Sequence, residues 1–361
     1  MKQTKVYKLV LLAALLLGVM VHSAGSQGFE PRPILLGTSG GNIKDSTRLF
    51  CCGGTLGSLV QDGNAVQYIL SNNHVLARSN RGLVGDAIIQ PGLIDQNPAC
   101  SKNLGNAVAN LSDFIPISFR KNVPNRADAA IAQVRTGQVD PTGAILGIGE
   151  VSHSVATPFI GMGVRKQGRT TGPTTGTVTA LDVTADIQYE RQCGMTILPR
   201  ITRFTGQIII GPDTFSDAGD SGSLIVEDCS PQPRPVALLF AGSGSSTLAN
   251  PIGDVLSGLG VSMVGRSNFC STSAGGLQSG ASSALAISLE NAITVKRRNE
   301  ADVLNRTGVV GMGVGISDTE PGRPVIEVYL KKPAREVRHL LPEAIEGIPV
   351  KLVETGVFVA Y

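Results

Sequence analysis

Charge is scarce in this chain. Only 16% of its 361 residues are Asp, Glu, Lys or Arg, whereas 44 are glycine. That balance argues against a disordered chain and suits a β-rich protein with many turns. Net charge is also nearly absent. The formal +3 is carried by Lys2, Lys5 and Lys8, and the remainder holds 28 basic against 28 acidic residues. No basic footprint for nucleic acid or a membrane surface follows from it. Long apolar runs are missing too: Leu9 to Val21 spans 13 residues, short of the roughly 20 that cross a bilayer. Behind three lysines and ahead of His22-Ser23-Ala24, this run reads as a secretory signal peptide over residues 1–24. An uncleaved anchor is the alternative, and the lack of a cysteine at the cleavage point speaks against a lipid-modified one. No Cys-x-x-Cys occurs, and no histidine neighbours any of the six cysteines, so a zinc site is not indicated. In an exported chain, Cys51, Cys52, Cys100, Cys193, Cys229 and Cys270 are expected to form three disulfides. Their pairing stays open.

What is present centres on Ser216-Asp217-Ala218-Gly219-Asp220-Ser221-Gly222-Ser223. Glycines on either side free the backbone around Ser221. The N–H groups of Gly219 and Ser221 could converge on one small volume, where they would hold the oxyanion formed when Ser221 attacks a carbonyl. The alternative is a Gly/Ser turn that only reverses the chain. A serine hydroxyl needs a base. Of four histidines, His74 alone ends an apolar strand, in Tyr68-Ile69-Leu70-Ser71-Asn72-Asn73-His74. Asp128 opens the apolar stretch Ala129-Ala130-Ile131-Ala132, and a carboxylate buried there is costly unless paired. Asp220, Asp217, Asp113 and Asp140 are its rivals. Asp220 adjoins the nucleophile, so its side chain is expected to point away, and neither Asp113 nor Asp140 opens so clean a strand.

With "SNNHVLA", "ADAAIAQV" and "GDSGS" in that order, residues 33–265 resemble the trypsin-like serine peptidases. The chain as a whole resembles the bacterial and plant members that carry "LSNNHV" and a tail containing "GVVGMGVG". The resemblance implies a mainly β fold: a double six-stranded antiparallel β-barrel of chymotrypsin type, with barrels over about 33–150 and 159–265. It implies Ser221 as nucleophile, His74 as general base and then acid, Asp128 as the group that orients the imidazole, and Gly219 and Ser221 as oxyanion donors. In the resembled fold Asp220 braces the nucleophile loop. Pro235 to Phe240, ending in Ala241, Gly242 and Ser243, corresponds to the strand whose edge pairs with substrate backbone. Phe215, six residues before the nucleophile, corresponds to the floor of the pocket for the side chain preceding the scissile bond. It would favour small or medium apolar side chains, unless the ring faces the core or Asp217 reaches the pocket. No cysteine neighbours His74 or Ser221, unlike many animal relatives, so their disulfide pattern does not transfer.

Local pattern supplies the rest. Gly54–Val60 and Ala65–Leu70 flank Asp62-Gly63-Asn64 as a hairpin. Residues 151–158 form the crossing between barrels, 168–172 a tight turn, and 251–259 a helix. Residues 266–283, rich in Ser, Gly and Ala, read as a linker. A second domain over 284–361 has the order α-β-β-α-β, with a broken helix over 285–304. Its Gly311, Gly313 and Gly315 leave one strand face bare for a helix. That glycine run lacks the spacing and following helix of a nucleotide loop. The expectation is an exported serine endopeptidase that acts on protein or peptide substrates with no cofactor or metal. It would bind no nucleic acid and, after signal cleavage, no membrane, and residues 284–361 would be a regulatory or assembly module able to carry a homo-oligomer. The alternatives are a catalytically latent binding or scaffolding protein on the same fold, and an esterase. The esterase elbow Gly-x-Ser-x-Gly is matched only in part by Gly219 to Ser223.

Overall fold

The computed structural model describes residues 28–120, 123–270 and 279–360, with side chains from residue 284 onward in the last segment. The signal-peptide expectation for 1–24 lies outside these residues, as does linker stretch 271–278. The first half of the chain is a ring of antiparallel strands. Its members are β1 (Thr38–Asn42), β2 (Gly54–Leu56), β3 (Ser58–Gln61), β4 (Gln67–Ser71), β5 (Ala87–Ile89), β6 (Ala107–Phe114) and β7 (Ala130–Val134). Pairing runs β2–β1–β5–β6–β7–β4–β3. Because β2 and β3 are one strand bent at Gly57, the two ends are the same piece of chain and the ring closes. The β3–β4 turn is fixed by Asp62, whose Oδ1 accepts from Asn64 N (2.9 Å) and Val66 N (3.0 Å). One-turn helix α1 (Asn73–Leu76) follows β4.

A second ring follows the crossing at 151–158. It contains β8 (Gly163–Gly168), β9 (Gly172–Tyr189), β10 (Arg200–Gly211), β11 (Leu224–Glu227), β12 (Pro235–Gly242) and β13 (Thr247–Pro251). The pairings β8–β9–β10–β13–β12–β11–β8 close it as well. Two closed six-stranded barrels are thus present, as expected. Helix α2 (Ile252–Leu259) buries Ile252 and Val255 and stops at Gly260, whose φ of +65° makes a left-handed cap. The chain then returns to the first barrel as β14 (Ser262–Met263) beside β3.

The remainder is α+β, and its strands pair with the second sheet. It comprises α3 (Ser279–Leu304), β15 (Val309–Ile316), β16 (Pro324–Leu330), α4 (Ala334–Val337), β17 (Ala344–Ile345), β18 (Ile348–Glu354) and β19 (Phe358–Ala360). The helix is one unbroken rod that begins at Ser279, so the expected linker to 283 ends earlier. Beyond the barrel, β9 and β10 continue as a long two-stranded arm, and β15 adds to its edge, with Gly311 opposite Ala185 and Met312 opposite Thr184. The tail strands therefore extend the second sheet, and a free β edge that would otherwise be exposed is covered. The bare face of β15 is also not a helix seat. Its Gly311 and Gly313 lie under the Tyr329 ring of β16, while α3 packs over Met312 with Val295 and Val303.

Three disulfides join Cys51 to Cys100, Cys52 to Cys193 and Cys229 to Cys270. The second ties the first barrel to the tip of the β9–β10 arm across 141 residues of sequence, a constraint of about 2–4 kcal/mol. Among the described residues, no helix is long and apolar enough to cross a membrane.

A chain truncated after Cys270, which keeps the Cys229–Cys270 disulfide, is expected to lose cooperative unfolding or to aggregate. It would bare the β9 edge and the faces of Ala185 and Ile187. Thermal unfolding checks this; an unchanged transition temperature would show that the tail strands contribute nothing to the second barrel.

Candidate active site

The barrels meet where β2 lies against the loop 219–222. Thr55 N donates to Ser221 O (2.8 Å), and Thr55 Oγ1 donates to Gly219 O (3.0 Å). Ser71 Oγ donates to Thr55 O (2.7 Å). A methyl group at Gly57 would overlap the Gly222 carbonyl, and one at Gly222 would overlap Ser71 Oγ. Glycine at both places lets the two backbones touch. A side chain at Gly54 would meet Val75 Cγ2 at 2.7 Å and Ser221 O at 3.0 Å. Helix α1, which carries His74, and the loop that carries Ser221 therefore converge on one residue.

His74 and Asp128 are in direct contact. The ring Nδ1 is 2.6 Å from Asp128 Oδ2, and His74 N donates to Asp128 Oδ1 (3.1 Å). Asp128 is wholly buried. Its backbone is fixed from both sides: Asn72 Nδ2 donates to its carbonyl (2.7 Å), and its N–H donates to Asn250 Oδ1 of β13 (3.1 Å). Tyr189 was not legible as a site residue. Its hydroxyl donates to Asp128 Oδ2 at 2.7 Å, and its ring stands edge-on to His74 at 6.0 Å. Burial, and then the adjacent Asp128 carboxylate, push the Tyr189 phenol well above its ordinary value, so it stays a donor. A tyrosine closing an alternating strand gave no sign of this. The long β9 arm alone returns it to the first barrel.

The loop that carries Ser221 is held by several hydrogen bonds. Asp220 is buried, and its Oδ1 accepts from Thr170 N (2.8 Å) and Thr171 N (3.1 Å). Its Oδ2 accepts from Thr171 Oγ1 (2.6 Å) and Asp217 N (3.0 Å) and lies 3.2 Å from Lys166 Nζ. Lys166 is equally buried. Desolvation lowers its ammonium below the ordinary value, opposed by the Asp220 charge. Asp220 is thus turned toward the 170–171 turn and Lys166, and Lys166 is the second residue that sequence pattern did not reveal. Gly219 has φ +99°, and a side chain there would collide with Arg169 and Thr170. Arg169 is itself clamped by Asp95 through contacts of 2.6 and 2.7 Å.

The amides of this loop divide into two sets. Those of Asp220, Gly222 and Ser223 donate to Asp217 O, Leu239 O and Asp220 O. The amides of Gly219 and Ser221 have no acceptor among the described residues. Ser221 is fully buried, its hydroxyl donates to Phe240 O (3.2 Å), and in this conformation no hydrogen bond joins it to His74. A cleft of about 440 Å³ is lined by His74, Gly219, Arg169, Tyr189, Val359 and Ala360, among others.

The other anticipated site residues divide. Ala241 and Gly242 lie at the end of β12, and their edge is paired with β19. Ser243 follows, its N–H donating to Ser246 O (2.8 Å). Phe215 takes the core position left open for it. It sits in a 3-10 turn (Asp213–Phe215), wholly buried with Val164, Val178 and Ile225, and does not line the cleft. Between a pocket floor and a core position, the burial of a whole phenyl ring decides for the core. No cluster of three or more metal-ligating side chains occurs among the described residues.

No protein-family model matches the chain, and no curated protein does. Solved structures similar to it are bacterial serine proteases of the chymotrypsin fold. A glutamic-acid-specific serine protease gives 18% identity and a TM-score of 0.43 over 64% of this chain and 100% of its own. Protease A of Thermobifida fusca gives 16% and 0.40 over 64% and 99%. The chymotrypsin of Cellulomonas bogoriensis gives 18% and 0.39 over 64% and 99%.

Two substitutions test the supports. Tyr189→Phe removes one hydrogen bond to the buried Asp128 carboxylate and should cost about 1.5–3 kcal/mol in denaturant unfolding. Lys166→Met leaves Asp220 charged and unpaired, with an expected loss of about 3–5 kcal/mol in denaturant unfolding. Adding Asp220→Asn should recover part of that loss. A Lys166→Met chain as stable as the parent would show that the ion pair does not hold the loop.

Proposed function

We propose that this chain is a serine endopeptidase that works through an acyl-enzyme, with Ser221, His74 and Asp128 as its catalytic residues. The observation that carries the reading is the His74–Asp128 contact (2.6 Å), opening on the same cleft as Gly219. Among the described residues the amides of Gly219 and Ser221 have no acceptor there. Ser221 Oγ turns from the Phe240 carbonyl and attacks the substrate carbonyl carbon while its proton passes to His74 Nε2. Asp128 accepts the Nδ1–H bond, holds that tautomer and stabilises the imidazolium. The oxyanion accepts from Gly219 N–H and Ser221 N–H. As the C–N bond breaks, His74 returns the proton to the leaving amine. Water then attacks the ester, His74 takes its proton, and the acid product leaves as Ser221 regains a hydrogen.

The three disulfides fit an oxidising, extracytoplasmic compartment. One observation favours the second reading, a latent protease-fold binding protein: Ser221 is wholly buried and bonded to Phe240 O. Kinetics separate the two. Ser221→Ala and His74→Ala should each lower the hydrolysis of peptide nitrophenyl esters by about four orders of magnitude or more, and the double variant should lose little further, because the residues act as a unit. Thermal unfolding of the variants should match the parent. Hydrolysis at the parent's rate in either single variant would remove this assignment.

A further inference from the structure

The edge of β12 is the surface on which the proposed reaction needs a peptide. Phe240 lies there, and its carbonyl holds the Ser221 hydroxyl. For a peptide carbonyl to reach Ser221, the residues before the scissile bond must lie along this edge and advance from Gly242 toward Phe240, antiparallel to β12. Strand β19 has that direction and that place. Val359 pairs with Gly242 and Ala360 with Ala241, antiparallel, so the chain runs toward Phe240. Its other edge pairs with β9, Phe358 opposite Ile187 and Val359 opposite Gln188. Val359 and Ala360 line the cleft that contains His74 and Gly219. The slot between β12 and the β9 arm holds one strand. A substrate pairing with Ala241 and Gly242 would need the same backbone groups that β19 now uses.

We propose that β19 is an intramolecular occupant of the acyl-side peptide groove and holds the protein in a self-inhibited state; this rests on the serine-endopeptidase reading. The anchor is Phe358, wholly buried with its ring edge-on to Tyr329 at 5.9 Å. The strand reaches the slot from Thr355 and Gly356, whose amides both donate to Leu330 O (3.0 Å each). Gly356 turns the chain with φ +76°. Beyond the anchor, Val359 and Ala360 are only half-buried. So short a strand can leave the slot while β18 and the rest of the sheet stay formed. The occupant also describes the substrate class the groove accepts: an extended apolar peptide with a small residue opposite Ala241, a β-branched residue opposite Gly242 and an aromatic residue before that.

The test uses the full-length chain and a nitrophenyl ester of acetyl-Phe-Val-Ala-Leu. Val359→Pro with Ala360→Pro removes two backbone donors from β19. Phe358→Ala keeps every backbone donor and empties only the anchor. Each variant that retains the parent's cooperative unfolding should hydrolyse the ester at least tenfold faster. A synthetic peptide of residues 356–361 should restore inhibition competitively, raising KM at constant kcat. If the proline variant fails to fold, Phe358→Ala decides alone. Equal hydrolysis in parent and folded variants, with no inhibition by the peptide, would overturn the inhibitory role while leaving the endopeptidase reading intact. Ester hydrolysis absent from parent and variants alike would overturn both.

Discussion

The structure depends on a close backbone contact between the barrels, the approach of β2 to the loop 219–222. His74 and Asp128 come from the first barrel and Ser221 from the second, so no strand within either barrel fixes their relation. The Thr55–Ser221 and Thr55–Gly219 hydrogen bonds help to do so. They form only because Gly57 and Gly222 have no side chain where the backbones touch. A residue larger than glycine at either place must push the barrels apart, and near-attack geometry is sensitive to displacements of about 1 Å.

Around that contact the burial of charge follows a consistent pattern. Asp128 and Asp220 are wholly buried, and each is met by several donors. Asp128 receives Tyr189, His74 N–H and the imidazole. Asp220 receives three amides, one hydroxyl and the Lys166 ammonium. Burying an ion pair is not in itself stabilising. Here each carboxylate spans pieces of chain that are distant in sequence, and its cost when unpaired makes the correct assembly strongly preferred over a loosened one.

Much of the site was legible because it is local. Glycines around Ser221, a histidine ending an apolar strand and an aspartate opening another are each visible within a few residues, as were the β3–β4 hairpin and α2. What was not legible depends on strand pairing. Tyr189 reads as one more alternating residue until the β9 arm carries it 61 positions away to Asp128. Lys166 reads as a surface lysine until the β8–β9 hairpin folds it onto Asp220. Phe215 lies six residues before Ser221 in sequence, and the 3-10 turn Asp213–Phe215 puts its ring in the core. The Ser/Gly/Ala stretch suggested an independent tail. Yet backbone pairing to β9 and β12 is indifferent to side-chain pattern and joins the tail to the second sheet.

The central claim is that Ser221 is a nucleophile activated by this arrangement. Incubation of the folded chain with a fluorophosphonate to completion, followed by peptide mapping, tests it most directly. The account predicts a single stoichiometric phosphonyl adduct on Ser221 that is lost in His74→Ala. An unlabelled Ser221 in the folded chain, or labelling that is equally fast without His74, would contradict it.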